Sequence, residues 1–256
     1  MQIYIYNHRR DPVDERDHKF HLKLPQIEAK ALPTHVDLRT SGFIPPVLDQ
    51  SSLGSCTANA TSNALRFLLK KEKLQDWSPS RLFIYYYSRL IEGTVSEDSG
   101  CVIRDVMKEV ATYGACSESN WPYDVEKFTL HPPSSAVRAA QTHIKNFQYM
   151  SVNQDLITIK NALVQGLPVI FGMDVYSSFE SDAVAQSGIV PMPNVTTETL
   201  LGGHCQAIYG FDDSTQRFTV MNSWSANWGD KGFSYIPYAY ILSSHASDFW
   251  VCKSFV

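Results

Sequence analysis

Two residues far apart in this 256-residue chain have the side-chain chemistry of a nucleophile and a base. Cys56 ends the small-residue loop SLGSC, and the apolar residues after it recur at helical spacing. We therefore predict a helix capped by Ser55, with Cys56 in its first turn. The free N–H groups and the positive dipole end of that turn favour the thiolate, which is the nucleophilic form of cysteine.

The loop before Cys56 also offers donors for a negatively charged oxygen. Gly54 and Ser55 are small, so a substrate carbonyl can approach the backbone N–H of Cys56 closely. The side-chain amide of Gln50, six residues before Cys56, can reach the same point. We predict that these two N–H groups form an oxyanion hole.

The candidate base lies near the other end of the sequence. Gly202 and Gly203 precede His204, and the alternating run CQAIYGF after it predicts a strand. Asn222 and Trp224 follow in the segment MNSW. A neutral imidazole can take a thiol proton, a carboxamide can orient the ring, and an indole can shield their hydrogen bond from water. A cysteine on an alanine-rich helix is usually inert packing, and this second group of residues is what favours catalysis.

In their order and spacing, these segments resemble the papain and cathepsin family of cysteine peptidases. The matching segments are the loop GSC, the GGH that ends at His204, and NSW followed by WGDKGF. Upstream, LPTHVDLR at residues 32–39 is similar to the start of a mature papain-like chain. The resemblance implies an α+β fold of two lobes, one helical and one an antiparallel β-barrel-like lobe, with the active site in the cleft between them.

The resemblance also implies a role for each matched residue and a peptide or protein as substrate. It implies no metal ion and no organic cofactor. Cys56 would be the nucleophile, His204 the general base and then the acid, Asn222 the orienting amide and Gln50 the oxyanion donor, with Trp224, Gly54, Ser55 and Gly203 in support.

Some positions depart from the family's pattern. Thr57 stands where the family has tryptophan, Leu53 where it has cysteine, and Ser225 where it has glycine. The paired glycines that hold the substrate backbone correspond to residues 98–101, with the sequence DSGC. We expect these changes to alter how the substrate is held more than they alter the chemistry.

Composition excludes several classes of partner. The net charge of −4 argues against a polyanion-binding surface, so no nucleic acid is expected. No apolar run is long enough to cross a bilayer, and the N-terminus does not resemble a secretory signal. Cys101 and Cys116 flank a predicted helix, whose length separates them too far for a disulfide. An intracellular reducing compartment is therefore favoured, and the absence of a CxxC pair disfavours zinc.

The chain divides into three segments by pattern. We predict a leader at residues 1–31, a mainly helical lobe with Cys56 at residues 32–144, and a mainly β lobe with His204 and Asn222 at residues 145–256. Two interpretations of the leader remain open. It is either a solvated segment that wraps the surface, or a short propeptide that lies in the cleft and makes the chain a zymogen.

Local signals predict where the helices begin and end. Ser78 followed by Pro79 predicts the start of one helix, Gly114 the end of the next, and Asn153 the cap of a third. We predict a cysteine endopeptidase that acts through a thioester, without the histidine loop of dipeptide-trimming relatives. An acyl or amide transferase and a non-catalytic binding protein are the alternatives.

Overall fold

The structure is a computed structural model that describes residues 4–20, 32–143 and 147–255. Its α-helices are α1 (Cys56–Lys71), α2 (Arg81–Glu92), α3 (Ile103–Tyr113), α4 (Ser134–His143), α5 (Leu156–Val164), α6 (Asp182–Ser187) and α7 (Tyr238–Ile241). Its strands are β1 (His35–Asp37), β2 (Phe147–Ser151), β3 (Val169–Tyr176), β4 (Leu200–Asp212), β5 (Arg217–Met221), β6 (Phe233–Pro237) and β7 (Ala246–Phe255). In these ranges, no helix combines the length and the apolar character that crossing a bilayer requires.

The strands form one antiparallel sheet in the order β2-β7-β3-β4-β5-β6, with β1 also paired to β4. Helices α1 to α4 precede most of the strands in sequence, which confirms the predicted α+β class. β1 is the exception, because it lies in the predicted helical segment yet pairs with the sheet. The chain therefore crosses to the sheet before it forms α1.

Helix α1 lies against the sheet through a face of small and large apolar residues. Ala60, Ala64 and Leu65 are buried, and the ring of Phe67 meets Tyr209 of β4 edge to face, with centroids 5.7 Å apart. The alanines allow the helix backbone to approach the strands, while each buried large side chain contributes about 1.5–3 kcal/mol. This packing fixes the first residue of α1 next to β4.

The second helical layer consists of α2 and α3. Tyr85, Tyr86 and Tyr87 of α2 are all buried, which agrees with their interpretation as core residues. Gly114 ends α3 with a positive φ of 78°, as predicted.

Two predicted helix starts were wrong. Ser80 caps α2 by accepting a hydrogen bond from the backbone N–H of Phe83, so Pro79 precedes the cap instead of opening the helix. Asp155 caps α5, where its carboxylate accepts from both the backbone N–H and the hydroxyl of Thr158. In both helices a residue nearer the first turn, with a side-chain oxygen that can reach it, displaces the predicted cap.

Candidate active site

Cys56 is the first residue of α1 and is fully buried. Burial raises the pKa of its thiol to about 11, although backbone N–H groups of Cys205, Thr57 and Cys56 itself favour the thiolate. Its position as the first residue of α1 confirms the helix-terminal position predicted for Cys56. Ser55 occupies the cap position but makes no capping bond, because its hydroxyl pairs instead with the hydroxyl of Tyr123 at 2.6 Å.

His204 lies on β4, and Asn222 directly follows β5. Nε2 of His204 and Oδ1 of Asn222 are 2.8 Å apart. The same Oδ1 accepts the backbone N–H of Ser223 at 2.8 Å, which identifies it as the carbonyl oxygen of the amide. Nε2 therefore carries the proton, and the lone pair of the imidazole is on Nδ1.

Nδ1 of His204 has no hydrogen-bond partner among the described residues. Burial lowers the pKa of His204 to about 4, and the bond to Asn222 opposes this shift. At neutral pH the ring is thus a neutral base. The backbone N–H of Cys205, the residue directly after His204, favours the thiolate of Cys56 and so lowers the pKa of that thiol.

Trp224 covers the imidazole. Its ring stacks on His204 with centroids 5.1 Å apart and planes inclined by 26°, and only 2% of the residue is exposed. Phe179 and Trp228 pack edge to face against the indole from the other sides. These rings exclude water from the His204–Asn222 bond, as the sequence predicted for Trp224.

Gln50 is held in one orientation by the segment that carries Asn222. Its Oε1 accepts the hydroxyl of Ser223 at 2.6 Å, and its backbone N–H donates to the Ser223 carbonyl at 2.9 Å. Nε2 consequently faces the loop before Cys56 and donates to the carbonyl of Leu53 at 3.1 Å. A carboxamide has two N–H groups, so one remains for a second acceptor in the same loop.

Asp98 is a site residue whose role sequence reasoning missed. Its two carboxylate oxygens accept the backbone N–H of Gly54, each at 3.0 Å, and the hydroxyl of Tyr85 donates to the same carboxylate. Tyr85 also accepts the backbone N–H of Gly100. Asp98 thus ties the nucleophile loop to the segment 98–101. The signal in the sequence was that Asp98 lies in the segment 98–101, where the family has paired glycines. The sequence analysis took this segment only as a departure from the family's pattern.

The described part of the leader lies directly over these residues. The ring of Tyr4 stacks on Trp224 with centroids 3.6 Å apart and an interplanar angle of 16°. Tyr6 stands edge-on to His204 at 5.9 Å, and its hydroxyl bonds to Glu180. His204 and Trp224 are therefore covered by leader side chains.

The next leader residues contact β4 on one side and the loops around Gly54 and Asp98 on the other. The backbone N–H of His8 donates to the carbonyl of Gly203 at 2.9 Å, and Nδ2 of Asn7 donates to the carbonyl of Asp98 at 2.6 Å. A Cβ added at Gly54 would lie 2.6 Å from Nδ2 of Asn7, and one at Gly100 would overlap the Asn7 backbone. Glycine at these positions lets a second backbone approach closely.

After these contacts the leader continues toward β2. Arg104 of α3 donates to the carboxylate of Asp17 at 2.6 Å, and the indole N–H of Trp250 donates to Asp11 at 2.7 Å. The backbone N–H of Phe20 donates to Ser151 at 2.7 Å. Residues 1–3 and 21–31 of the predicted leader lie outside the described residues.

The remaining cysteines are not paired in the structure. Cys101, Cys116, Cys205 and Cys252 are all buried free thiols, like Cys56. Within the described parts of the chain, no group of three or more His, Cys, Asp or Glu side chains is arranged to hold a metal ion.

Comparison with known sequences finds relatives along most of the chain. The family profile described as "Papain family cysteine protease" matches residues 32–245. An uncharacterised peptidase C1-like protein of Acanthamoeba polyphaga mimivirus is 38% identical over 240 residues, 89% of this chain and 76% of the relative. A digestive cysteine proteinase of Homarus americanus is 27% identical over 78% of this chain, which spans 60% of that relative.

Comparison with solved structures finds the same fold. Xylellain, a cysteine protease of Xylella fastidiosa, is similar at a TM-score of 0.87 and 36% identity, over 97% of this chain and 96% of that one. A cysteine protease of Carica candamarcensis, solved in complex with E-64, is similar at a TM-score of 0.66 and 21% identity, over 87% of this chain and all of that one. The second likeness concerns the fold alone.

Proposed function

Because the chain belongs to the papain family of cysteine proteases, we propose that it is an endopeptidase whose catalytic residues are Cys56, His204, Asn222 and Gln50. The observation that carries this assignment is the tautomer of His204. Its Nε2–H is bound by Asn222, so Nδ1 is the free proton acceptor, and the backbone N–H of the adjacent Cys205 favours the thiolate of Cys56. The base and its orienter are thus in direct contact, and the next residue after the base stabilises the thiolate of the proposed nucleophile.

In the acylation step, Nδ1 of His204 takes the proton of Cys56 and the thiolate sulfur attacks the scissile carbonyl carbon. The carbonyl oxygen becomes an oxyanion, which the Cys56 backbone N–H and the free N–H of Gln50 stabilise. His204 then gives its proton to the amide nitrogen, the C–N bond breaks, and the amine leaves. The acyl group remains on sulfur as a thioester.

In the deacylation step, water replaces the amine. His204 removes a proton from the water as its oxygen attacks the thioester carbon, and the same two donors hold the second oxyanion. The C–S bond breaks, the acid product leaves, and the proton returns to the Cys56 sulfur. Asn222 keeps the ring in one tautomer through both steps, beneath the indole of Trp224.

We also propose that residues 32–144 and 145–256 act as the two lobes of this site. Cys56 and Asp98 belong to the first segment, and His204 and Asn222 belong to the second. The leader between them contacts Gly54 on one side and Gly203 on the other, which supports a substrate groove at the junction.

The leader is the intramolecular inhibitor in this proposal, and the full chain is a zymogen. Leader residues Tyr4 and Tyr6 cover Trp224 and His204, and Cys56 is fully buried with the leader in place. A protein substrate cannot reach the sulfur while these residues are in place. The inhibition is therefore steric, and burial additionally raises the pKa of the Cys56 thiol.

An endopeptidase needs a groove that is open to a continuous chain. The leader itself is such a chain. It passes over Trp224, contacts Gly203 and continues through its own residues Asp17 and Phe20, which are bonded to Arg104 and Ser151. His131, the histidine nearest in sequence to the position of a dipeptide-trimming loop, lies instead against Tyr86 and Tyr87. Both observations support cleavage within chains.

The test compares the full chain with a variant that begins at residue 32, on a mixture of internally quenched peptides. We expect the shorter chain to cleave at least about a hundredfold faster, because its groove is free. Equal rates would refute inhibition by the leader, and no cleavage by either form would refute the peptidase. Adding an amine nucleophile and analysing the products distinguishes hydrolysis from acyl transfer.

A further inference from the structure

The hydroxyl of Tyr123 joins the two ends of the loop that precedes Cys56. It donates to the backbone carbonyl of Gln50 at 2.7 Å, and it lies 2.6 Å from the hydroxyl oxygen of Ser55. Because a phenol has one proton and a carbonyl can only accept, the Ser55 hydroxyl must donate to Tyr123. One oxygen atom therefore fixes the backbone at residue 50 relative to the residue before the nucleophile.

This bond is part of a chain of hydrogen bonds that begins on helix α1. Nδ2 of Asn59 donates to Oγ of Ser55 at 3.0 Å and to the Ser55 carbonyl at 2.9 Å. The chain thus runs from Asn59 through Ser55 and Tyr123 to the carbonyl of Gln50, with every donor pointing the same way. Hydrogen bonds arranged head to tail polarise and strengthen one another. The first turn of α1 is therefore connected to the segment that carries Gln50.

Helix α2 holds the ring of Tyr123 in place. The guanidinium carbon of Arg81, the first residue of α2, lies 3.8 Å from the centroid of this ring. The same guanidinium donates to the carboxylate of Glu118 at 2.8 Å and to the carbonyl of Asp49 at 2.8 Å. Arg81 therefore positions Tyr123 and also supports the residue directly before Gln50.

The phenol of Tyr123 keeps its proton at neutral pH. Burial raises the pKa of Tyr123 to about 12, although the bond from Ser55 and the charge of Arg81 oppose this shift. Tyr123 is therefore a donor to the Gln50 carbonyl at every pH well below this value, and the geometry that it fixes does not change with pH in that range.

We propose that Tyr123 is a positioning residue that sets the distance between the two donors of the oxyanion hole. The inference rests on the proposed function, since those donors are the side chain of Gln50 and the backbone N–H of Cys56. Ser223 orients the Gln50 amide from the β segment, while Tyr123 holds the Gln50 backbone from the helical segment. The same hydroxyl holds Ser55, whose carbonyl carbon is bonded to the Cys56 nitrogen.

The expected effect is smaller than the loss of a donor. Losing one oxyanion donor typically lowers kcat by about a hundred- to a thousandfold, and a misplaced donor loses part of that contribution. Tyr123→Phe removes the hydroxyl and keeps the ring beside Arg81. The Gln50 carbonyl then retains the longer bond from the backbone N–H of Leu53, at 3.3 Å. We therefore expect the oxyanion-dependent step to slow by about tenfold.

The first experiment compares two reactions of Cys56 in the same full chain. Peptide cleavage needs the oxyanion hole, whereas alkylation of Cys56 by iodoacetamide forms no oxyanion. Both rates depend on the fraction of molecules whose leader is displaced and on the thiolate fraction, so the ratio of cleavage to alkylation cancels these two quantities. In Tyr123→Phe this ratio should fall about tenfold. An unchanged ratio would overturn the role given to Tyr123.

Two further variants locate the effect. Tyr240→Phe is the matched control, because it removes a tyrosine hydroxyl that also donates to a backbone carbonyl at 2.7 Å, that of Asp174. It should leave the ratio unchanged. In a Gln50→Ala chain the donor that Tyr123 positions is gone, so Tyr123→Phe should lower the ratio much less than in the wild-type chain. An equal loss in both backgrounds would show that Tyr123 does not act through Gln50, and it would overturn the proposal.

The second experiment does not require catalysis. Hydrogen–deuterium exchange of the full chain, read by mass spectrometry, reports how firmly residues 50–56 are held. We expect the backbone N–H groups of these residues to exchange about tenfold faster in Tyr123→Phe and at the wild-type rate in Tyr240→Phe.

The two experiments separate this inference from the proposed function. If the wild-type chain cleaves no peptide, the proposed function fails, and exchange still decides whether Tyr123 positions the loop. Faster exchange at residues 50–56 in Tyr123→Phe supports the positioning, and equal exchange overturns it.

Discussion

Two regions meet at the groove, and they are held by different kinds of contact. The His204 network, which consists of Gln50, His204, Asn222 and Ser223, is buried, and its bonds of 2.6 to 2.9 Å join its own members. The leader is held by ring stacking, by ion pairs, some of them on the surface, and by hydrogen bonds to the rest of the protein. The network therefore does not depend on the leader for its geometry.

In this account the His204 network carries out the chemistry, and the leader restrains it. Arg9 and Arg10, whose side chains are 49% and 55% exposed, pair with Glu92 and Asp174. Exposed ion pairs of this kind contribute at most about 1 kcal/mol each, and they are screened by salt. Changes in the network should therefore lower the rate, while changes in the leader should raise it.

The largest expected effect comes from the nucleophile. Cys56→Ala removes the sulfur that forms the thioester, so hydrolysis of a peptide should fall by about 10⁴-fold or more. Cys252→Ala, at a buried thiol of β7, is the matched control and should stay active. A Cys56→Ala chain that hydrolyses the peptide at the full rate would refute the assignment.

The next effect tests the oxyanion donor. Gln50→Ala removes one N–H, and such a loss typically lowers kcat by about a hundred- to a thousandfold. Ser223→Ala leaves Gln50 in place but removes the hydroxyl that orients its Oε1, so it should cost less. The comparison is made on kcat in chains that begin at residue 32. A Gln50→Ala variant with unchanged kcat would remove Gln50 from the oxyanion hole.

A smaller effect, of opposite sign, comes from loosening the leader. Tyr4→Ala removes the stack on Trp224, and Asp17→Ala removes the ion pair with Arg104. Together they should raise the peptidase rate of the full chain about tenfold or more, since stacked rings and partly buried ion pairs each contribute on the order of 1 kcal/mol. Glu15→Ala, an exposed leader carboxylate, is the control. A lower rate in the double variant would show that the leader assists the site.

The smallest expected effect is a pH dependence of the leader. Burial raises the pKa of Asp11 from 3.8 to about 6 when it is docked, with Asp248 adding to the shift. Asp11 therefore takes up a proton when the leader docks at a pH between these two values. As the pH falls from about 7 to about 5, this uptake raises the equilibrium constant for docking of the leader by about tenfold.

Asp11→Asn abolishes this uptake. The ratio of the variant's rate to the wild-type rate, both for the full chain, should therefore rise about tenfold from pH 7 to pH 5. Taking the ratio at each pH cancels the titration of the catalytic groups. It also cancels that of His8, whose pKa is lowered to about 3 by burial and by nearby His204, Arg10 and Arg9. A constant ratio would contradict the role given to Asp11.

The sequence predicts well those features of the fold and of the site that local patterns and motifs determine. Helical periodicity after Cys56 predicted that α1 begins there, and alternation after His204 predicted the second part of β4, which begins four residues before His204, at Leu200. The chemical types of Asn222 and Trp224 predicted a bond to the imidazole and a cover over it, and both are present.

What the sequence could not predict depends on partners distant in the chain. Ser55 has the right type and position for a cap, but Tyr123, far along the chain, takes its hydroxyl. The role of Asp98 depends on its meeting Gly54 and Tyr85 in space. Residues 4–20 have no helical or strand periodicity. Their path across the active site and the position of the His8 side chain could therefore not be predicted from the sequence.

Covalent capture of the nucleophile tests the central claim most directly. The full chain with Tyr4→Ala and Asp17→Ala is incubated with an epoxide inhibitor of thiol proteases, digested, and sequenced by mass spectrometry. The account predicts one adduct, on Cys56, formed faster than in the wild-type chain. An adduct on any of the other four cysteines in place of Cys56, or no adduct at all, would contradict it.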